Sequence, residues 1–173
     1  DMDDEVKVRF KSTFEAIRES FQKTFTQMFG GGQADLILTS ENLLDAGIEI
    51  AVQPPGKKLA SLNLMSGGEK SLTALALLFA IIRVRTVPFV VLDEVEAALD
   101  EANVKRFGDY MTRFDESSQF IVVTHRKGTM KAAKAMYGVT MQEDRSRKIN
   151  VRRMRYPFSF TQTLNASGYL RIA

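Results

Sequence analysis

From Val6 the apolar side chains fall at Val6, Phe10, Phe14, Ile17, Phe21, Phe25 and Phe29, three or four residues apart throughout. That spacing returns to one side of a helix at every turn and predicts a helix with a phenylalanine-rich stripe. The stripe has two compatible readings: a face turned to a core, and the end of a coiled coil entering a globular head. Gly30-Gly31-Gly32 then stops the helix abruptly. Short alternating segments at 34–39 and 47–52 predict a hairpin-like pair of strands. Gln53-Pro54-Pro55-Gly56 is a turn, because two prolines cannot sit within a sheet ladder.

The pattern changes in the second half. A dense Leu/Ala/Ile/Phe run over 69–84 predicts a helix that is apolar on most sides and therefore buried. Residues 89–92 form a continuous apolar strand, of the kind expected in a parallel sheet covered on both faces. Asp100 can cap a helix running from Glu101 to about Asp115. A second buried strand is expected over 119–124, a short helix over 128–135, and two more strands near 137–142 and 148–154. Strand and helix alternate, which predicts an α/β layered domain. There is no internal repeat. Residues 156–173 carry one charge and no clear period, and read as an edge element, a partner-like peptide or an extraneous remnant.

Composition changes this picture little. At 173 residues and 45% apolar content, the chain can bury a real core. A net charge of +3 is too mild to make a nucleic-acid binder by electrostatics alone. The absence of cysteine excludes disulfides and thiolate chemistry and fits a reducing compartment. No apolar run reaches the roughly 18 residues of a membrane span. The opening Asp1-Met2-Asp3-Asp4-Glu5 is not a signal peptide and reads as a piece of something longer.

Two stretches carry chemistry. Leu64-Met65-Ser66-Gly67-Gly68-Glu69-Lys70 holds a capping-box pattern, Ser66 at the N-cap and Glu69 three residues on. By itself that pattern merely starts a helix. The consecutive glycines Gly67 and Gly68 add close backbone approach and exposed N–H groups at the positive end of the helix dipole, which is an anion site. The strand over 89–92 ends in Asp93 and Glu94. Ligands of open α/β sheets collect at the carboxyl ends of strands, so the pair predicts one metal partner and one general base. Burying two acids without a cation is costly, which favours Mg²⁺ nearby. His125, the single histidine, follows the next apolar strand and should emerge on the same sheet edge. Asp100 is most simply a helix cap and can also stand beside the site. A phosphate loop of the form G-x-x-x-x-G-K-[ST] is missing: Gly68-Glu69-Lys70-Ser71 and Gly56-Lys57-Lys58 both fail the pattern.

These residues resemble a known set. Leu64 to Lys70 looks like the ABC-ATPase signature motif, Val90 to Glu94 like a Walker B strand with its catalytic glutamate, Ala98-Leu99-Asp100 like the D-loop, and His125 like the switch histidine. Val95-Glu96-Ala97-Ala98-Leu99-Asp100, Thr124-His125-Arg126-Lys127-Gly128-Thr129-Met130 and Tyr137-Gly138-Val139-Thr140-Met141-Gln142-Glu143 narrow the resemblance to the C-terminal head lobe of bacterial-type SMC proteins, the chromosome condensation ATPases. It covers roughly residues 5–154. The resemblance implies a coiled-coil end over 1–29, a C-terminal ABC-ATPase head lobe over 30–155 and a tail of unknown role over 156–173. It implies ATP and Mg²⁺ as cofactors, with Ser66, Gly67, Gly68, Glu69 and Asp100 binding nucleotide, Asp93 holding the metal through water, and Glu94 and His125 catalytic. The implied partners are an N-terminal head lobe bearing Walker A, a second SMC head, the C-terminal winged-helix domain of a kleisin, and DNA, in the cytoplasm at the nucleoid.

The basic residues Arg145, Arg147, Lys148, Arg152, Arg153 and Arg155 could contact that DNA or simply form a solvated face. Two alternatives share the sequence pattern: a DNA-repair head of the RecN kind, and a kleisin-docking module without activity of its own. A transporter nucleotide-binding domain fits less well, since it carries Walker A on the same short domain.

Overall fold

A computed structural model describes residues 2–43, 45–114, 118–141, 149–154 and 169–170. The chain divides into two compact units, Asp1–Thr86 and Val87–Ala173.

In the first unit, α1 (Met2–Phe29) carries the phenylalanine stripe. Phe14, Phe21, Phe25, Met28 and Phe29 are buried, while Val6 is exposed. The stripe therefore changes role along one helix, open to solvent at its start and core-forming from Phe14 onward. Phe25 and Phe29 stack at 4.1 Å between ring centroids, one turn apart. Burying Phe21 and Phe25 completely contributes about 2–3 kcal/mol each. Gly32 ends the helix with φ +80, and a Cβ there would lie 2.3 Å from the carbonyl oxygen of Gln53, so only glycine lets the chain pass the proline turn.

Strands β1 (Gln33–Leu38), β2 (Ile48–Gln53) and β3 (Ala60–Ser61) form an antiparallel sheet in that order. The expected hairpin-like pair is present, with Ala34 opposite Val52 and Leu36 opposite Ile50. Buried Ala34, Leu36 and Val52 line the inner face. The two-residue β3 has no period to read and was not anticipated. Arg18 of α1 grips Asp35 of β1 through one guanidinium edge, Nε at 2.5 Å from Oδ1 and Nη2 at 2.6 Å from Oδ2. That bidentate contact pulls the Asp35 carboxyl down to about 2 and pushes Arg18 further up.

A single 3-10 turn, Leu62–Leu64, leads into α2 (Gly67–Val84), which packs on α1. Leu72, Leu75, Ala76, Phe79, Ala80 and Ile82 are its buried apolar side chains. Ile81, at 40% exposure, marks the side that remains open.

In the second unit, β4 (Phe89–Asp93) and β5 (Gln119–Val123) run parallel, with Phe89 opposite Gln119 and Asp93 opposite Val123. The expectation of a strand covered on both faces is corrected here. Phe89 and Val91 are 62% and 57% exposed, because among the described residues β4 pairs with β5 alone and one face has no cover. Helix α3 (Glu101–Arg113) buries Val104, Phe107, Gly108 and Tyr110. The short α4 (Lys127–Lys131) ends earlier than the sequence suggests. It lies close against α3: a Cβ on Gly128 would come within 2.7 Å of Val104 Cγ1.

Strands β6 (Met136–Met141), β7 (Ile149–Met154) and β8 (Tyr169–Leu170) form an antiparallel sheet in the order β7-β6-β8. Of the three readings of the tail, Tyr169–Leu170 takes the first, as an edge strand on β6. Asp115, Gln142, Arg145, Arg147, Lys148, Arg155 and the tail apart from β8 lie outside the described residues. Among the described residues no helix is long and apolar enough to cross a membrane.

Candidate functional site

The predicted site residues fall into two groups, one in each unit. Ser66 begins α2 with extended backbone, and its hydroxyl accepts from the Glu69 N–H while Glu69 Oε2 accepts from the Ser66 N–H at 3.2 Å. The capping box read from the sequence is therefore formed in both directions. Glu69 also accepts hydrogen bonds from the Ser66 hydroxyl at 2.8 Å and from the Lys57 ammonium at 2.7 Å. The Lys57 contact, followed by the Ser66 hydrogen bonds, lowers the Glu69 pKa. Glu69 is thus engaged as a cap and ion-pair partner, and Lys57 is a residue the sequence reading missed. Only its place in a basic pair before the turn into α2 could have pointed to it.

The amides of Gly67 and Gly68 have no acceptor within the helix. A Cβ on Gly67 would meet no atom within 4 Å, so space stands open before the dipole's positive end. An anionic phosphate fits there, and the hydroxyl of Ser66 could turn to it on leaving Glu69.

The second group forms where β4 and β5 end. Because Asp93 pairs with Val123, the residues that follow, Glu94 and His125, leave the same edge of the sheet. His125 Nδ1 stands 3.5 Å from Glu94 Oε1. Glu94 has φ +47, the left-handed region that costs a non-glycine residue about 1 kcal/mol or more. Its N–H donates to Val123 O at 2.9 Å and its carbonyl accepts from Ala97 N–H at 3.0 Å, which holds the turn in that state.

Both Asp93 and Glu94 are exposed. The expectation of two buried acids demanding a cation is corrected, since solvent meets their desolvation cost in this chain. Among the described residues, no cluster of three or more His, Cys, Asp or Glu side chains could hold a metal. A lone strand-end carboxylate still fits Mg²⁺, which keeps several waters and takes one or two carboxylates together with substrate phosphates.

Asp100 is the N-cap of α3, accepting from Asn103 N–H at 2.8 Å and from Asn103 Nδ2 at 3.2 Å. Both its oxygens are committed to that helix start. Three further residues at this edge were quoted only within the sequence motifs, with no role of their own. Glu96 is 1% exposed and accepts a hydrogen bond from Thr124 Oγ1. Arg126 donates from Nη2 to Leu99 O at 2.6 Å.

The chain as a whole is similar to known proteins. The family model described as the RecF/RecN/SMC N terminal domain matches residues 5–148. The chromosome partition protein Smc of Bacillus subtilis (strain 168) is 59% identical over 150 residues, which is 86% of this chain and 13% of that protein. A solved structure from work on ATP-driven dimerization and DNA-stimulated activation of SMC ATPases is 41% identical with a TM-score of 0.78, over 86% of this chain and 89% of that one. An SmcHead bound to the C-winged helix domain of ScpA is 41% identical with a TM-score of 0.77, over 87% of this chain and 46% of that one. The chain spans only 12–13% of the length of the curated relatives first matched. Its mixed α/β fold is that of an SMC head, and the chain belongs to the RecF/RecN/SMC family.

Proposed function

We propose that this chain is the C-terminal lobe of an SMC-type ATPase head, with a coiled-coil end over 1–29, the lobe over 30–155 and an appended tail over 156–173. The matching family model is described as an N-terminal domain. The C-terminal assignment is supported instead by the absence of a phosphate loop and by the order of Ser66-Gly67-Gly68, Asp93-Glu94, Asp100 and His125. Exposed Phe89 and Val91 on β4 supply a face for the Walker A lobe to cover.

In this reading ATP is bound between two heads. Ser66 and the Gly67 and Gly68 amides meet the phosphate presented by a second head, with Glu69 bracing Ser66 and Asp100 at the facing loop. Asp93 holds Mg²⁺ through water, and the ion supplies charge neutralisation on the phosphates. Glu94 polarises the attacking water and accepts its proton, and His125 steadies the γ-phosphate and Glu94 together. The lobe hydrolyses ATP only when joined to its N-terminal lobe and engaged with a second head. A kleisin winged-helix domain, as in the ScpA complex of a relative, and DNA are the proposed partners, in the cytoplasm at the nucleoid.

The observation that carries this reading is the convergence of Glu94 Oε1 and His125 Nδ1 at 3.5 Å beyond two parallel strand ends. Glu94→Gln in the full-length protein is expected to lower turnover by about 10²–10³-fold while ATP binding and head engagement persist. Unchanged turnover contradicts the assignment.

A further inference from the structure

Glu96 is an acid in a place where acids are expensive. It is 1% exposed, and its Oε2 is buried without a hydrogen-bond partner. A leucine or methionine would fill the same volume without that penalty. Its other oxygen, Oε1, accepts from the hydroxyl of Thr124, the residue directly before His125. Thr124 has a single hydroxyl proton, and its Oγ1 in turn accepts from the backbone N–H of Arg126 at 2.9 Å. In the structure the chain runs from Arg126 N–H to Thr124 Oγ1, and from Thr124 O–H to Glu96 Oε1.

The same two segments are joined again one turn away. Arg126 Nη2 donates to Leu99 O at 2.6 Å, and Leu99 N–H donates to Glu96 O at 2.9 Å. The loop that follows Glu94 is thus tied to the residue before His125 and to the residue after it. Among the described residues, His125 itself approaches Glu94 at 3.5 Å, with its Nδ1 toward Oε1. Its orientation depends on anchored neighbours more than on its own contacts.

We propose that Glu96 is a positioning residue which, through Thr124, sets His125 against Glu94 and makes the 94–100 and 124–126 segments move as one body. The proposal rests on the reading of Glu94 and His125 as the hydrolytic pair. A displacement of loop 97–100 then carries His125 with it, so that whatever presses on that loop is felt at the catalytic edge.

The test uses Thr124→Val, which keeps shape and removes the hydroxyl, and Thr124→Ser, which restores it, both in the full-length protein, with Glu94→Gln in parallel. Thr124→Val is expected to lower kcat about 10-fold with KM for ATP within about twofold, and Thr124→Ser to recover kcat to within about twofold of the parent. Glu96→Leu combined with Thr124→Val should lower kcat no further than the worse single change, because both remove one contact. His125 is the single histidine of the 173-residue chain, so its ring resonance in that chain reports its setting without turnover. It should shift in Thr124→Val or Thr124→Ala and return in Thr124→Ser. If Glu94→Gln leaves turnover intact, the functional reading fails. If Glu94→Gln abolishes turnover while Thr124→Val keeps kcat, or lowers it without rescue by serine, the positioning role of Glu96 is overturned. An unmoved His125 resonance overturns it equally, even where the valine variant is too unstable to assay.

Discussion

The two polar groups of this molecule are built at very different ranges along the chain. The start of α2 is closed by Ser66 and Glu69, three residues apart. The strand-end group is closed by Glu96 with Thr124 and by Leu99 with Arg126, 28 and 27 residues apart. Local hydrogen bonds form with the helix itself, whereas the second group exists only after β4 and β5 have paired in register. A local motif can therefore present its amides before any partner arrives. A long-range one inherits its precision from the sheet, and spends buried polar atoms to keep it.

That contrast sets an order of expected effects. The change at Glu94, the proposed catalytic base, and the loss of the Thr124 hydroxyl should act on turnover of the full-length protein and are expected to be the largest. Removing the cap is smaller and local. Ser66→Ala should cost about 1 kcal/mol of stability, read as a lower denaturant midpoint with an unchanged slope, and should leave the His125 resonance where it is. A cap whose loss moved His125 would erase the distinction between the two groups.

Smallest is the Arg18–Asp35 pair, which is about one-third exposed and worth less than about 1 kcal/mol. Asp35 sits at about 2 when folded, below its ordinary value of 3.8. Its contribution is present above pH 3.8 and is lost as pH falls through 2. The stability difference between the parent and Asp35→Asn should accordingly vanish over that interval of acid unfolding. A difference that persisted at lower pH would place the effect in packing rather than charge.

The same contrast explains what was legible in the sequence. The α1 stripe, the glycine stop, the capping box and the Asp100 cap all depend on residues within a turn or two, and each formed as read. His125 was placed correctly because parallel strands of similar length deliver their next residues to one edge. Glu96 was not seen as part of the site because nothing local separates a buried acid from its neighbours in Glu94-Val95-Glu96. Its partner lies on the next strand. The exposure of Phe89 and Val91 was also invisible, since an apolar strand reads the same whether its cover is in the chain or elsewhere. Asp93 and Glu94 followed suit: burial was inferred from the apolar run before them, yet the strand ends in solvent.

The central claim is that each group is half of a nucleotide site, completed by other parts of the protein. Calorimetric titration of Mg-ATP into the 173-residue chain, and into the same chain joined to its N-terminal Walker A lobe, tests it most directly. The account predicts no tight binding by the chain alone and saturable binding once the lobe is supplied. Tight binding of Mg-ATP by this chain alone would contradict it.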